Sequence, residues 1–259
     1  MTHNHTMQKL ISELKRLYLH DFHDDEQLAQ HLRGEHTISV DLARGGVQRA
    51  IVIDFHKAEG EQHWLRLCDV ANAIQQELEL PAPAVSVSGG DSYQLWLSLA
   101  QPLSPDQARQ FLALLHKAYF EDEMIDLGRT AVELPPCLHV ATGLWAAFIN
   151  PSMGGALAED LGLEVTPSES AQASFLEKLD SISAEAFQHA LDKLQAKHAA
   201  SDSVPAPLPL SPTARPKQSH HVNKPTPDHL LLKDATLEDI VRHLHAMGIE
   251  PTFRHVLKD

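Results

Sequence analysis

The segment from Val47 to Leu99 constrains this chain more than any other, because it reads as strand, helix, strand, strand and carries chemistry on one face of its first strand. It opens with VQRAIVIDFH and closes with VSVSGGDSYQLWLSL. Side chains alternate along a strand, so Ile51, Ile53 and Phe55 share an apolar face, while Val52, Asp54 and His56 share the other. Asp54 and His56 stand two residues apart, about 6–7 Å at Cα, near enough to share one divalent cation. The same carboxylate would serve equally as an ordinary turn cap. Ser88, Gly89, Gly90 and Asp91 form a polar turn whose backbone amides suit a phosphate, or else a plain hairpin turn.

Periodicity predicts the elements around this core. Met7 to Tyr18 sets Leu10, Ile11, Leu14, Leu17 and Tyr18 at helical spacing. Asp24 caps a second helix through Leu32 that stops at Gly34. HTISVDLARGGVQRAIVIDFH reads as two strands joined in a hairpin across Arg44, Gly45 and Gly46. Gln62 to Leu78 reads as a helix with Leu65, Val70, Ala73, Ile74 and Leu78 inward, stopped by Pro81 and Pro83. A helix starts at Ser104 with Pro105 in its first turn and runs to Tyr119. Residues 125–151 carry two short strands around a proline-bearing loop, then a turn at Thr142 and Gly143 and a strand from Leu144 to Ile149. Gly154 to Leu163, Ala171 to Leu179 and Ser183 to Lys197 read as helices. The expected class is α/β (α+β), and Trp96 and Trp145 are expected in the core rather than as base-stacking platforms.

Three regions follow. Residues 1–199 form the α/β domain, and residues 200–228 carry seven prolines and read as a flexible linker. Residues 229–259 read as one amphipathic helix, docked on the domain or on a protein partner.

Composition narrows the class. Hydrophobic residues at 43% with charged residues at 22% match a soluble globular chain, and no apolar run approaches the roughly 20 residues of a membrane span. The amphipathic start has no apolar signal segment, so the cytoplasm is the expected location. Two cysteines, Cys68 in a helix and Cys137 in a loop, are too few for a disulfide framework or a thiolate zinc site. A formal charge of −14 works against non-specific binding of nucleic acid, so any groove for it must be local. The 18 histidines are scattered and read mostly as surface residues.

Three separated segments, HLRGEHTISVDL with RAIVIDFH, SVSGGDSYQLWLSLAQPLSPDQAR, and IDLGRTAVELPPCLHVATGLWAAFINP, resemble in order and spacing the archaeo-eukaryotic primase (primase-polymerase) superfamily. They are most similar to the primase-type domains of TOTE conflict systems, over about residues 30–151. The resemblance implies a primase-like core with an RRM-like sheet and added C-terminal helices. It also implies metal-binding carboxylates holding two divalent ions, Mn2+ or Mg2+, that clamp a nucleotide triphosphate. Carried over by position, Asp54 keeps the first carboxylate, His56 replaces the second, and Asp126 stands for the third, which makes these three the catalytic and metal residues. Ser88 and Gly89 keep the phosphate turn, Gln94 stands where the family has a histidine, and His139 keeps the later histidine. Together these four are the nucleotide-binding residues.

The departures define the functional alternatives. An imidazole at His56 removes one charge and one oxygen from a magnesium site. Glu133 stands where the resemblance expects arginine, Ala141 where lysine is common, and Gln94 carries no charge. One reading is a degenerate primase-like domain that binds nucleotide or nucleic acid, with weak or no nucleotidyl transfer. A second is an active Mn2+-dependent primase-polymerase. A third is an unrelated metal-dependent hydrolase or protein-interaction module on the same Asp-x-His strand. The first is preferred, because these changes fall together in one site of an acidic chain and fold does not carry function with it.

Overall fold

The computed structural model describes residues 2–127 and 129–202. All but the first three residues of the expected linker, and the whole C-terminal helix over 229–259, lie outside the described residues. Residues 200–202 continue the last helix instead of opening the linker.

The chain runs α1 (Thr2–Leu17), α2 (Asp25–Leu32), β1 (Ser39–Asp41), β2 (Gln48–His56), α3 (Gln62–Gln76), β3 (Ala84–Val87), β4 (Ser92–Leu103), α4 (Pro105–Tyr119), β5 (Ala131–Glu133), β6 (Cys137–Leu138), β7 (Trp145–Ile149), α5 (Glu169–Leu176) and α6 (Ala184–Asp202). Local chemistry sets several ends. The Asp24 carboxylate accepts from the Gln27 amide at 2.9 Å at the start of α2. Ser104 and Gln107 satisfy each other's amides in a capping box ahead of Pro105, which needs no hydrogen-bond partner there.

Five strands form one antiparallel sheet in the order β2-β4-β3-β7-β6. Because β4 pairs antiparallel with both β2 and β3, those two strands run parallel, and α3 is the crossover between them. Helices cover both faces. Ile51, Ile53 and Phe55 of β2 pack with Leu95 and Leu97 of β4 against the apolar faces of α3, α4 and α6. On the opposite face Ala50, Val52, Ala84, Trp96 and Phe148 pack against α1, α2 and α5. Tyr18 stacks on Phe148 with centroids 5.6 Å apart and lies 5.1 Å from Trp96. Both Trp96 and Trp145 are buried. Among the described residues no helix is long and apolar enough to cross a membrane.

The expected hairpin between β1 and β2 does not form. Strand β1 pairs with β5, Val40 opposite Val132, in a separate two-stranded sheet, while β2 pairs with β4. Gly45 and Gly46 do take positive φ, but within a 3-10 turn that leads from one sheet to the other. Leu65, expected inward, is 52% exposed. His63, Leu67, Val70 and Ile74 make the buried stripe of α3, which places Leu65 on the far side. Cys137 is a buried strand residue rather than a loop one, and burial with the nearby Glu133 charge pushes its thiol up to about 12, so it is inert as a nucleophile. Gly154 to Leu163 is not one α-helix. A 3-10 helix covers Pro151–Leu157, where a Cβ on Gly154 would lie 2.0 Å from the Trp64 ring.

Candidate functional site

The polar face of β2 explains where the site lies. Ala50 and Val52 are covered by the second core, and the next two residues of that row, Asp54 and His56, emerge past its edge. They open into a cavity of about 500 Å³ that is also lined by Ser88, Gln94, Asp126 and His139. Residues from all three resembling segments therefore share one space. Gly89 does not line it but packs beneath His139, where a Cβ would come within 2.8 Å of the His139 Cβ.

Asp54 is held from three sides. Gln94 lies opposite it in the β2–β4 ladder, and Gln94 Nε2 donates to Asp54 Oδ1 at 3.0 Å. Ser92 Oγ donates to the same oxygen at 3.4 Å. Asp54 Oδ2 forms an ion pair with Nη1 of Arg129. Behind Gln94, Trp96 Nε1 donates to Ser86 Oγ at 2.8 Å, and Ser86 Oγ donates to Gln94 Oε1 at 3.1 Å. That relay fixes the amide so that its NH2 group faces the carboxylate. Gln94 is thus a support for Asp54 as well as a lining residue.

His56 and Asp91, both well exposed, approach at 3.3 Å across the cavity mouth. The turn at Ser88 uses its own donors. Ser88 Oγ accepts from the amides of Gly90 and Ser92, each at 3.1 Å, Ser88 N–H donates to Ser92 O at 3.0 Å, and Gly89 N–H donates to Leu161 O at 2.9 Å. The amides of Ser88, Gly89 and Gly90 are thus engaged within the fold, as in a plain hairpin turn.

His139 is oriented by Thr142. The Thr142 hydroxyl donates to Gly89 O, so its oxygen is left to accept, from the Leu144 amide at 3.2 Å and from His139 Nδ1 at 2.9 Å. A neutral ring in that arrangement carries its proton on Nδ1 and offers Nε2 as an acceptor.

Among the described residues the lining holds four carboxylates, Asp54, Asp91, Asp126 and Glu133, against one guanidinium, Arg129. Burial pulls the Arg129 guanidinium below its ordinary value, and the Glu133 charge opposes that shift. Arg129 Nε donates to Ala131 O at 3.2 Å and its amide to Asp126 O at 3.4 Å, which hold its stem beside the cavity.

The implied two-metal site fits these residues poorly. Among the described residues no three His, Cys, Asp or Glu side chains come together to hold a metal, and the carboxylate that would anchor one is engaged by Arg129. Asp54, His56 and Asp126 line the same cavity without forming one ligand set. Sequence reasoning passes over Arg129 and Ser86 and reads Thr142 only as a turn residue. Arg129 lies inside the third resembling segment, but the resemblance expects its arginine at Glu133 instead.

No protein-family model matches the chain, and no curated protein does. Among solved structures, the polymerase domain of Mycobacterium tuberculosis ligase D in complex with DNA is similar at 17% identity and a TM-score of 0.35. That likeness covers 55% of this chain and 57% of the other. The archaeo-eukaryotic primase domain of the cyanophage S-2L primase-polymerase is similar at 13% identity and a TM-score of 0.35, over 65% of this chain and 97% of the other.

Proposed function

We propose that this chain is a degenerate primase-polymerase-like domain whose cavity binds a nucleotide or the end of a nucleic-acid strand, with weak or no nucleotidyl transfer. One observation carries the reading. Asp54 and His56, Ser88 and Gln94, and Asp126 and His139 come from three stretches far apart in the chain, and they line a single cavity. The finer likeness, to the primase-type domains of TOTE conflict systems, rests on the same three stretches of sequence.

The chemistry of the lining argues for binding over transfer. Transfer of a nucleotidyl group gathers negative charge on the phosphates, and active sites of this kind answer it with metal ions and free cations. Here, among the described residues, one guanidinium, already paired with Asp54, stands with four carboxylates. His139, held by Thr142, is the group best placed to meet a ligand, as an acceptor when neutral and as a phosphate donor when protonated.

Anisotropy titrations with a fluorescent dATP analogue and with a labelled single-stranded oligonucleotide, over a range of salt, test this function. The expected result is saturable binding of at least one probe that weakens with salt and falls about tenfold or more in His139→Ala. Absence of binding to both probes at millimolar protein, or binding that His139→Ala leaves unchanged, would overturn it.

A further inference from the structure

Both oxygens of the Asp54 carboxylate are engaged by the protein itself, Oδ1 by Gln94 and Ser92 and Oδ2 by Arg129. The Asp54 and Arg129 side chains are only 14% and 28% exposed, so the pair lies largely out of water. There an unpaired carboxylate would be costly, and a guanidinium, which keeps its charge on burial where an ammonium gives it up more readily, is a durable partner. A divalent cation reaching Asp54 would have to compete with Arg129 for the carboxylate and would be repelled by the guanidinium at that range. His56 does not make up the loss, since its ring is turned to Asp91.

We infer that Arg129 is the built-in counter-cation of Asp54, occupying the place where the resemblance expects a divalent metal, so that ligands enter this cavity without metal and Asp54 coordinates none. The inference rests on reading this cavity as the ligand site. It turns the misfit between the donor set and a two-metal centre into a property of the protein. Glu133 supports it from the side, because its charge favours a cation at Arg129.

Binding of Mn2+ alone, followed by the loss of the free-ion electron paramagnetic resonance signal, tests the inference in the full chain. Wild type, Asp54→Asn and Arg129→Lys are expected to bind Mn2+ equally weakly. Arg129→Gln, with Asp54 uncovered beside Glu133 and Asp126, is expected to bind it about tenfold more tightly or better, and Asp54→Asn/Arg129→Gln is expected to lose that gain. A Mn2+ site in wild type that Asp54→Asn removes would overturn the inference, and so would a folded Arg129→Gln without the gain. The wild-type and Asp54→Asn comparison decides the matter even where Arg129→Gln fails to fold. In a parallel titration, dATP affinity is expected to be the same with EDTA as with Mn2+, and a strict requirement for Mn2+ would overturn the inference. If dATP binds under neither condition, the proposed function falls while the Mn2+ comparison still decides the role of Arg129.

Discussion

Gln94 donates to Asp54 at 3.0 Å from the directly opposed position on the neighbouring strand, and it does so because Ser86 holds the other end of its amide. The carboxylate is therefore oriented by a row of buried polar groups that starts at the Trp96 indole N–H. Such rows are stabilising when every member is satisfied and costly when one is removed.

Gln94→Leu keeps nearly the same volume but leaves the Ser86 hydroxyl without its acceptor and removes one of the donors to Asp54 Oδ1. Urea unfolding should show a loss of about 1–3 kcal/mol. Ser86→Ala should cost a similar amount by stranding the Trp96 N–H and the Gln94 carbonyl. A double-mutant cycle between the two should give a coupling of about 0.5–3 kcal/mol. Strict additivity would show that the relay is not a unit.

Much of this arrangement is legible from residue order alone. Alternation in AIVIDFH places Asp54 and His56 beyond an apolar row, and Ser104-Pro105 marks the start of α4 to the residue. The partner of β1 is not legible, because β5 lies some ninety residues downstream and strand periodicity says which face is buried, not which strand is adjacent. The two glycines at 45 and 46 signal a turn and say nothing of whether the flanking strands pair. Arg129 escapes for a similar reason: an isolated arginine in a loop has no period, and only the folded chain brings its guanidinium to Asp54. Composition likewise does not tell a turn at Ser88-Gly89-Gly90 that spends its amides internally from one that offers them.

His31 should give the protein a stability that depends on pH. It is fully buried in α2, where Nδ1 accepts from the Ile38 amide at 3.0 Å and Nε2 donates to Leu134 O at 2.7 Å. One neutral imidazole thus ties α2 to the residues flanking β1 and β5, which carry Ser39 and Glu133 into the cavity wall. Burial lowers the folded-state pKa below the ordinary 6.5, outweighing the Leu134 carbonyl and Glu133, which raise it. The unfolded chain therefore takes up the proton first. The His31 contribution is complete above pH 6.5 and is lost progressively as pH falls from there toward the lower folded-state value. His31→Leu should cost about 2 kcal/mol or more at neutral pH by stranding two backbone groups. It should also flatten the stability profile below the ordinary imidazole range relative to wild type. Parallel profiles in wild type and His31→Leu would refute the assignment.

Two glycines with the same backbone sign should respond very differently to alanine. Gly60 has φ +62° and open space where a Cβ would sit, whereas Gly89 has φ +74° and a Cβ there would meet His139 Cβ at 2.8 Å and Leu144 O at 3.0 Å. Gly60→Ala should cost about 1 kcal/mol for the left-handed backbone alone. Gly89→Ala adds a steric clash and should cost about 3 kcal/mol, with His139 displaced from the cavity. Thermal melts give the stabilities, and the His139 ring proton shifts report the displacement. Equal costs at the two sites would mean that the contact between Gly89 and His139 is not tight.

Thr142 should decide which nitrogen of His139 carries the proton. Its hydroxyl hydrogen is committed to Gly89 O, so toward His139 the oxygen only accepts. With the ring neutral, nitrogen-15 shifts of the wild type should report Nδ1–H and an unprotonated Nε2. Thr142→Val keeps the shape and removes the oxygen, so the proton should redistribute toward Nε2. The fold should lose only about 1 kcal/mol, because the site is partly open to water. Thr142→Ser should restore the Nδ1–H pattern. Ligand affinity should follow the tautomer rather than the stability: a ligand group that donates to Nε2 loses its acceptor in Thr142→Val and regains it in Thr142→Ser. A Thr142→Val protein that keeps the wild-type nitrogen shifts would show that Thr142 does not orient the ring.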